Sequence, residues 1–195
     1  MNKLMGFFEL NDLDLPTIPW KEYTGSEFLD KSILWTVRSA VYKGNDLNLP
    51  RKIGVSADEA MTFATKLLHT LAQNGIVIYY PYFLANKSGT LEVRNKKTII
   101  EAVNADLWNL VSLSDRDVTI EIDDGVTSFH GDETFLSESE ITKIVENVPK
   151  IRQSFRNQLI EGHSLLLEWS YAQRSNLQKM PIGNEYLVFY ELRTI

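Results

Sequence analysis

The sequence predicts an α+β fold: a mostly antiparallel sheet with two main helices laid on one side. Three observations carry that expectation. Runs rich in β-branched and aromatic residues follow one another across short, turn-forming connections, which favours antiparallel pairing. Two longer stretches repeat apolar residues with helical spacing, each opened by a serine followed three residues later by a glutamate. The chain has 195 residues, 44% of them hydrophobic, enough for one domain with a substantial core.

The elements follow in chain order. Residues 11–32 carry turn formers (Asn11, Asp12, Pro16, Pro19 and Gly25), and the two prolines hold LPTIPW extended. ILWTVRSAV (33–41) reads as a strand, and KGNDLNLPRKIG (43–54) as a loop. Ser56 and Glu59 form a capping box for a helix whose apolar face is Ala60, Phe63, Ala64, Leu67, Leu68 and Leu71, with Gly75 as its stop. IVIYYPYFLA (76–85), GTLEV (89–93) and KTIIEAV (97–103) read as strands, with a turn over Asn86–Gly89. DVTIEID (117–123) alternates with period two and turns at Gly125 toward VTSFH. Ser137 and Glu140 open a second helical stretch through Ile141, Ile144, Val145, Val148, Ile151, Phe155 and Leu159, which Pro149 should kink or divide. HSLLLEWSY and EYLVFYELR supply the last strands. No composition shift marks a linker, so residues 1–195 are expected to form one domain. The stretch 124–136 is the best candidate for a seam between lobes.

Composition narrows the functions open to the chain. The net charge is −6 and basic residues are scattered, so no positive field would draw in nucleic acid or an anionic membrane. No cysteine is present, which excludes disulfides and thiolate metal sites. The N-terminal stretch lacks the basic start and apolar core of a secretory signal. No apolar run nears the ~18 residues that would span a bilayer. A cytoplasmic protein is the expectation.

Several residues break the apolar pattern. Glu168 in LLLEW and Glu191 in YLVFYELR put carboxylates on late apolar strands. Two such groups on neighbouring strands could hold a divalent cation such as Mg²⁺, or could face solvent, with Arg193 neutralising Glu191. Arg38 in WTVRSAV needs a partner, either a phosphate or carboxylate gripped by its guanidinium fork or a buried acid. Tyr79–Phe83 could stack on a planar base such as adenine or pack a strand end. His69, His130 and His163 have no ligand spacing. The 43–54 loop matches neither a P-loop nor a dinucleotide fingerprint.

Taken in order, these stretches resemble the N-terminal, ATP-binding region of the pyruvate phosphate dikinase and phosphoenolpyruvate synthase family, an ATP-grasp-type domain. MNKLMGFFEL followed by LPTIPW resembles the family's GGKGxxLxEL and GLPVPPGF stretches, with Lys3 at the lysine. WTVRSAV resembles VRSSA, LLLEWSY resembles DIEWA, and YELRTI resembles LQxRPIT. The order is kept from residue 3 to residue 195. The departures are specific. The glycines around the lysine are Met1, Asn2, Leu4 and Met5; the Asp of DIEWA is Leu166; the Gln of LQxR is Glu191; Tyr80 replaces the adenine-side Gln. KGNDLNLPR occupies the place of the glycine-rich SFAGQ segment, and DLWNL (106–110) that of GLGE, with Asp106 a doubtful stand-in.

The resemblance implies an ATP-grasp-like fold with two lobes around a nucleotide cleft. It implies ATP and Mg²⁺ as cofactors, Glu168 and Glu191 as metal ligands, and Lys3, Arg38 and Arg193 as phosphate-binding cations. Arg38 and Arg193 would be the catalytic pair, with Tyr80 on the base side. The family's phosphohistidine and phosphoenolpyruvate domains have no counterpart in this sequence. The partner is therefore a nucleotide together with an unspecified phosphoryl acceptor or partner protein; if catalysis has been lost, the alternative is a non-catalytic module of the same fold that binds a nucleotide, another ligand or a protein.

Overall fold

The computed structural model describes residues 3–44, 49–107, 110 and 116–195, and of Lys3 the backbone alone. Two antiparallel sheets face each other, with helices on the outer face of each.

The sequence pattern marks no element at the N-terminus, yet a helix, α1 (Lys3–Asp12), forms there. Its apolar residues lie all round: Leu4, Phe7 and Leu10 are buried while Met5 and Phe8 are exposed. No polar face announces it. Gly6 lets it lie directly on the last strand, since a Cβ there would sit 2.0 Å from the Leu192 carbonyl oxygen. LPTIPW runs beside the same strand, where the Phe189 N–H donates to the Pro16 carbonyl at 2.7 Å, and it then turns at Pro19, where the Trp20 N–H donates back to the Ile18 carbonyl at 2.9 Å.

The smaller sheet contains β1 (Lys21–Glu22), β2 (Trp35–Val41), β3 (Arg51–Val55) and β4 (Gly75–Pro81), in the order β1-β4-β2-β3. β3 lies inside the predicted loop. It is an edge strand with Arg51 and Ile53 exposed, so it lacks the apolar alternation that would betray it. The loop's Asn45 and Asp46 lie outside the described residues. Helix α2 (Ala57–Leu71) packs Ala60, Ala64 and Leu67 against Val37, Val77 and Tyr79. Ser56 accepts the Glu59 N–H at 3.3 Å, the first half of the expected box. The Glu59 carboxylate instead engages Lys52. The helix stops at Ala72 in a left-handed conformation (φ 47°), and Gly75 opens β4 rather than ending the helix.

At Tyr82 the chain crosses to the larger sheet. This comprises β5 (Phe83–Val93), β6 (Lys97–Asn104), β7 (Val118–Asp123), β8 (Val126–Gly131), β9 (Leu165–Ser175) and β10 (Pro181–Thr194), in the order β10-β9-β5-β6-β7-β8. The expected turn at Asn86–Gly89 is absent: β5 runs straight through with a bulge after Ala85. Its polar residues mimic a turn because one side of β5 faces a cleft and not the core. The stretch 124–136 forms the β7–β8 turn, β8 itself and the approach to the next helix.

Helices α3 (Glu138–Val145), α4 (Val148–Ser154) and α5 (Arg156–Ile160) cover the outer face. Pro149 divides the helical stretch as expected, seated in the first turn of α4. Ile144, Ile151, Phe155 and Leu159 pack on Leu91, Ile100, Ile120, Leu167 and Trp169. The predicted capping box is complete: Ser137 N–H donates to Glu140 at 2.7 Å and Glu140 N–H to Ser137 Oγ at 3.3 Å. Lys87 Nζ also lies 2.8 Å from both Glu140 oxygens. Burial opposes the Glu140 charge, but these hydrogen bonds from Lys87 and Ser137 outweigh it and hold the carboxyl below its usual range. A depressed carboxylate stabilises the fold above its unfolded pKa, and that contribution is lost as pH falls through the folded value. Glu140→Gln should therefore cost about 1–3 kcal/mol near neutrality. In urea melts the gap to wild type should close below roughly pH 4; a gap independent of pH would contradict this.

Between the sheets, Ala40, Ile76, Ile78 and Tyr80 meet Ala172 and Val188, with Leu4 and Phe7 of α1 filling in. This contact closes one end of the molecule. Beyond it the sheets diverge. No helix among the described residues is long and apolar enough to cross a membrane.

Candidate functional site

The two faces of β9 divide the labour. Leu165, Leu167, Trp169 and Tyr171 point to the helices and are buried, while Glu168 and Ser170 face the diverging gap. On β10, Phe189 and Leu192 are both core residues although they lie three apart. A strict two-residue period would put one of them outside. The register shift between Phe189 and Glu191 resolves this: the bulge turns Tyr190 and Glu191, consecutive in sequence, to the same side. It also sets Glu191 directly opposite Glu168.

Two carboxylates facing each other across a ladder repel. Two arginines offset that repulsion. Arg193, on the same face of β10, reaches Glu168 Oε1 at 3.2 Å and also bonds Glu191. Arg38, from β2 of the other sheet, reaches Glu191 Oε2 at 3.3 Å. The result is an alternating chain, Arg38–Glu191–Arg193–Glu168, that joins the sheets. The Glu191 side chain is 3% exposed and that of Arg38 14%. Burial works against the Arg38 charge, but the Tyr80 phenol, Glu191 and Glu168 more than compensate, and the guanidinium is held protonated beyond its ordinary range. The Phe7 ring lies beneath it, 5.7 Å from centroid to guanidinium carbon.

This chain forms one wall of a cavity of about 600 Å³ between the sheets. Tyr80, Tyr82, Phe83 and Leu84 line it where the chain crosses between sheets. Tyr79, the neighbour of Tyr80, points the other way and packs edge-on to Trp35 and Tyr23 in the α2 core. Opposite lie Ser88 and Ser170, hydrogen-bonded at 2.8 Å, with Tyr190. Burial, reinforced by Glu168, pushes the Tyr190 phenol far up, so it stays neutral.

The structure thus brings together Arg38, Tyr80, Glu168, Glu191 and Arg193. Lys3 opens α1, and its side chain lies outside the described residues. Asp106 also lines the cavity. Sequence reasoning missed Tyr190, the Ser88–Ser170 pair and Arg51, which lines the same cavity from β3. The parity change in FYEL, with apolar residues three apart, was the signal for the bulge. Among the described residues no cluster of three or more His, Cys, Asp or Glu could hold a metal. The facing pair Glu168 and Glu191 is the carboxylate set that a divalent cation could share with ligand oxygens.

Two antiparallel sheets of this kind, closing on a charged cleft, define the ATP-grasp fold, and the chain has that fold. It is similar to D-alanine–D-alanine ligase from Bacillus anthracis (TM-score 0.52, 13% identity, covering 100% of this chain and 56% of that one). It is similar also to L-amino acid ligase from Bacillus licheniformis (TM-score 0.51, 15% identity, covering 98% and 39%). A third likeness is to a dinucleotide-forming acetyl-coenzyme A synthetase from Ca. Korarchaeum cryptofilum (TM-score 0.51, 9% identity, covering 100% and 92%). The chain therefore spans about half the length of the first ligase and less of the second. No protein-family model and no curated protein matches the sequence.

Proposed function

We propose that the cleft binds ATP together with Mg²⁺. One observation carries this reading. Arg38, which lies 153 residues from Glu191 in an ATP-grasp fold, converges with Glu191, Arg193 and Glu168 in the wall of a cavity of about 600 Å³. That volume suits a nucleotide-sized ligand, since such pockets run from about 300 to 1,000 Å³. Glu168 and Glu191 would hold Mg²⁺, which takes one or two carboxylates and fills its remaining positions with phosphate oxygens and water. Arg38 and Arg193 would take the phosphates through charge-assisted forks. Tyr80, Tyr82 and Phe83 would flank the base. When bound, the metal would neutralise phosphate charge.

The ion-pair chain makes a further demand. A cation held by the carboxylates alone leaves both arginines unmatched, and an anion held by the arginines alone leaves both carboxylates unmatched. Uncompensated buried charge is costly. The charges match one another when the cleft is empty; once that chain is opened, every charge is matched again only when both ligands are held, so metal and nucleotide should bind cooperatively.

The reading extends to phosphoryl transfer onto a small acceptor or partner protein, a chemistry carried mostly by positioning and charge stabilisation. The likeness of WTVRSAV, LLLEWSY and YELRTI to the dikinase-family strands supports it. One observation favours a narrower second reading, nucleotide binding without transfer. Leu166 stands where that family has an acidic residue, paired across the ladder with Glu92 and Arg193, and offers no ligand. Incubation with γ-labelled ATP separates the two: label on any acceptor supports transfer.

Binding itself is tested by thermal melting with and without MgATP. A ligand at 100 times its Kd should add about 2.7 kcal/mol of stability. Glu168→Gln should remove the metal-dependent part of the shift and leave the fold intact. No shift with any nucleotide at millimolar levels would overturn the proposal.

A further inference from the structure

We infer that Arg51 is a second-sheet anion receptor of this cleft, recruiting a phosphate group at the rim; the assignment to a nucleotide's phosphate rests on the ATP reading above. Arg51 lies on the edge strand β3, directly opposite Arg38 in the β2–β3 register, and both line the cavity. Like charges set opposite each other on neighbouring strands destabilise a sheet. Among the described residues no carboxylate pairs with Arg51 to offset that cost.

The partners of the two arginines differ. Arg38 is matched by Glu191 and Tyr80 and is largely buried. Arg51 is exposed, and among the described residues it makes no ion pair and no side-chain hydrogen bond. The chain Arg38–Glu191–Arg193–Glu168 balances two cations against two anions, so Arg51 is a positive charge in excess of it. Asp106, the remaining cavity-lining acid, acts on the Tyr82 and Tyr190 phenols. The protein as a whole carries −6 and repels polyanions at a distance. Against that background, a guanidinium that pairs with no carboxylate among the described residues, beside one that does, offers a fork suited to phosphate oxygens.

The test compares wild type, Arg51→Ala and Arg51→Lys, titrated calorimetrically with pyrophosphate, ATP and adenosine in the presence of Mg²⁺. Arg51→Ala should weaken pyrophosphate and ATP about tenfold, Arg51→Lys should weaken them less, and adenosine should be unaffected. The ligand-free melting temperature of Arg51→Ala should hold or rise, because a repulsion has been removed. A merely structural role would lower it, and that result overturns the inference. So does unchanged pyrophosphate affinity in Arg51→Ala. If wild type binds pyrophosphate, with the expected loss in Arg51→Ala, but does not bind ATP, Arg51 keeps its role and the ATP reading fails. If wild type binds neither, both fail.

Discussion

Glu191→Ala is expected to lower the unfolding free energy by about 3–5 kcal/mol, read from urea melts, the range for removing one partner of a buried ion pair. The side chain is 3% exposed and stands between Arg38 and Arg193. Arg193 would keep Glu168, but Arg38 would be left in the sheet interface with no carboxylate in direct contact. The loss should come from the orphaned charge and not from lost attraction. Replacing both partners, Arg38→Met with Glu191→Leu, should therefore recover most of the stability. The same double variant should bind no MgATP, since it lacks one acid and one cation of the site. Stability and binding would then have been separated in one protein. A Glu191→Ala loss below about 1 kcal/mol, the scale of an exposed pair, would show that the chain of charges is not formed.

Gly89→Val should be more severe, abolishing folding or costing more than the ~3 kcal/mol at the upper end of ordinary overpacking. Gly89 sits in the middle of β5, hydrogen-bonded between β6 and β9. A Cβ there would lie 1.9 Å from the Glu101 carbonyl oxygen and 2.5 Å from Trp169 Cζ2. Neither can retreat. The carbonyl belongs to the neighbouring strand, and Trp169 is fully buried edge-on to Tyr171 at 5.7 Å. Gly89→Ala already meets both contacts and should show most of the loss. Adding Trp169→Leu should rescue it in part, because the ring clash is relieved while the backbone clash stays. Full rescue by the second substitution would contradict this geometry. Soluble expression, circular dichroism and urea melts suffice to read the series.

Where the chain packs against its own core, the pattern of residues announced the structure. The alternation in β7, the apolar face of α2, the Ser137–Glu140 cap and the division at Pro149 all follow from burial, which leaves a periodic trace. The cleft leaves a different trace. Asn86–Gly89 look like a turn because their polar groups are met by tertiary partners that the local pattern does not show, Lys87 by Glu140 and Ser88 by Ser170, while Gly89 makes room for Trp169. β3 looks like a loop because its cavity-facing Arg51 and Ile53 are exposed and its other face carries Lys52 and Gly54, so no apolar alternation marks it. α1 is apolar all round because it lies between a strand and the sheet interface, so it has no moment to detect. The charged residues were legible because they interrupt apolar strands, and Arg38, Glu168, Glu191 and Arg193 do converge. What was not read was how they are arranged. The opposition of Glu191 to Glu168 depends on a one-residue bulge, and the position of Arg51 depends on a strand that the sequence does not mark.

In the proposed site, carboxylates and guanidiniums exchange each other for a metal and an anion together. Isothermal titration of ATP into the protein, once with Mg²⁺ and once with chelator, measures that exchange directly. The proposed exchange predicts binding with the metal that weakens roughly 100-fold without it, the upper range of coupling between two ligands. Equal affinity in the two titrations, or no heat in either, would contradict it.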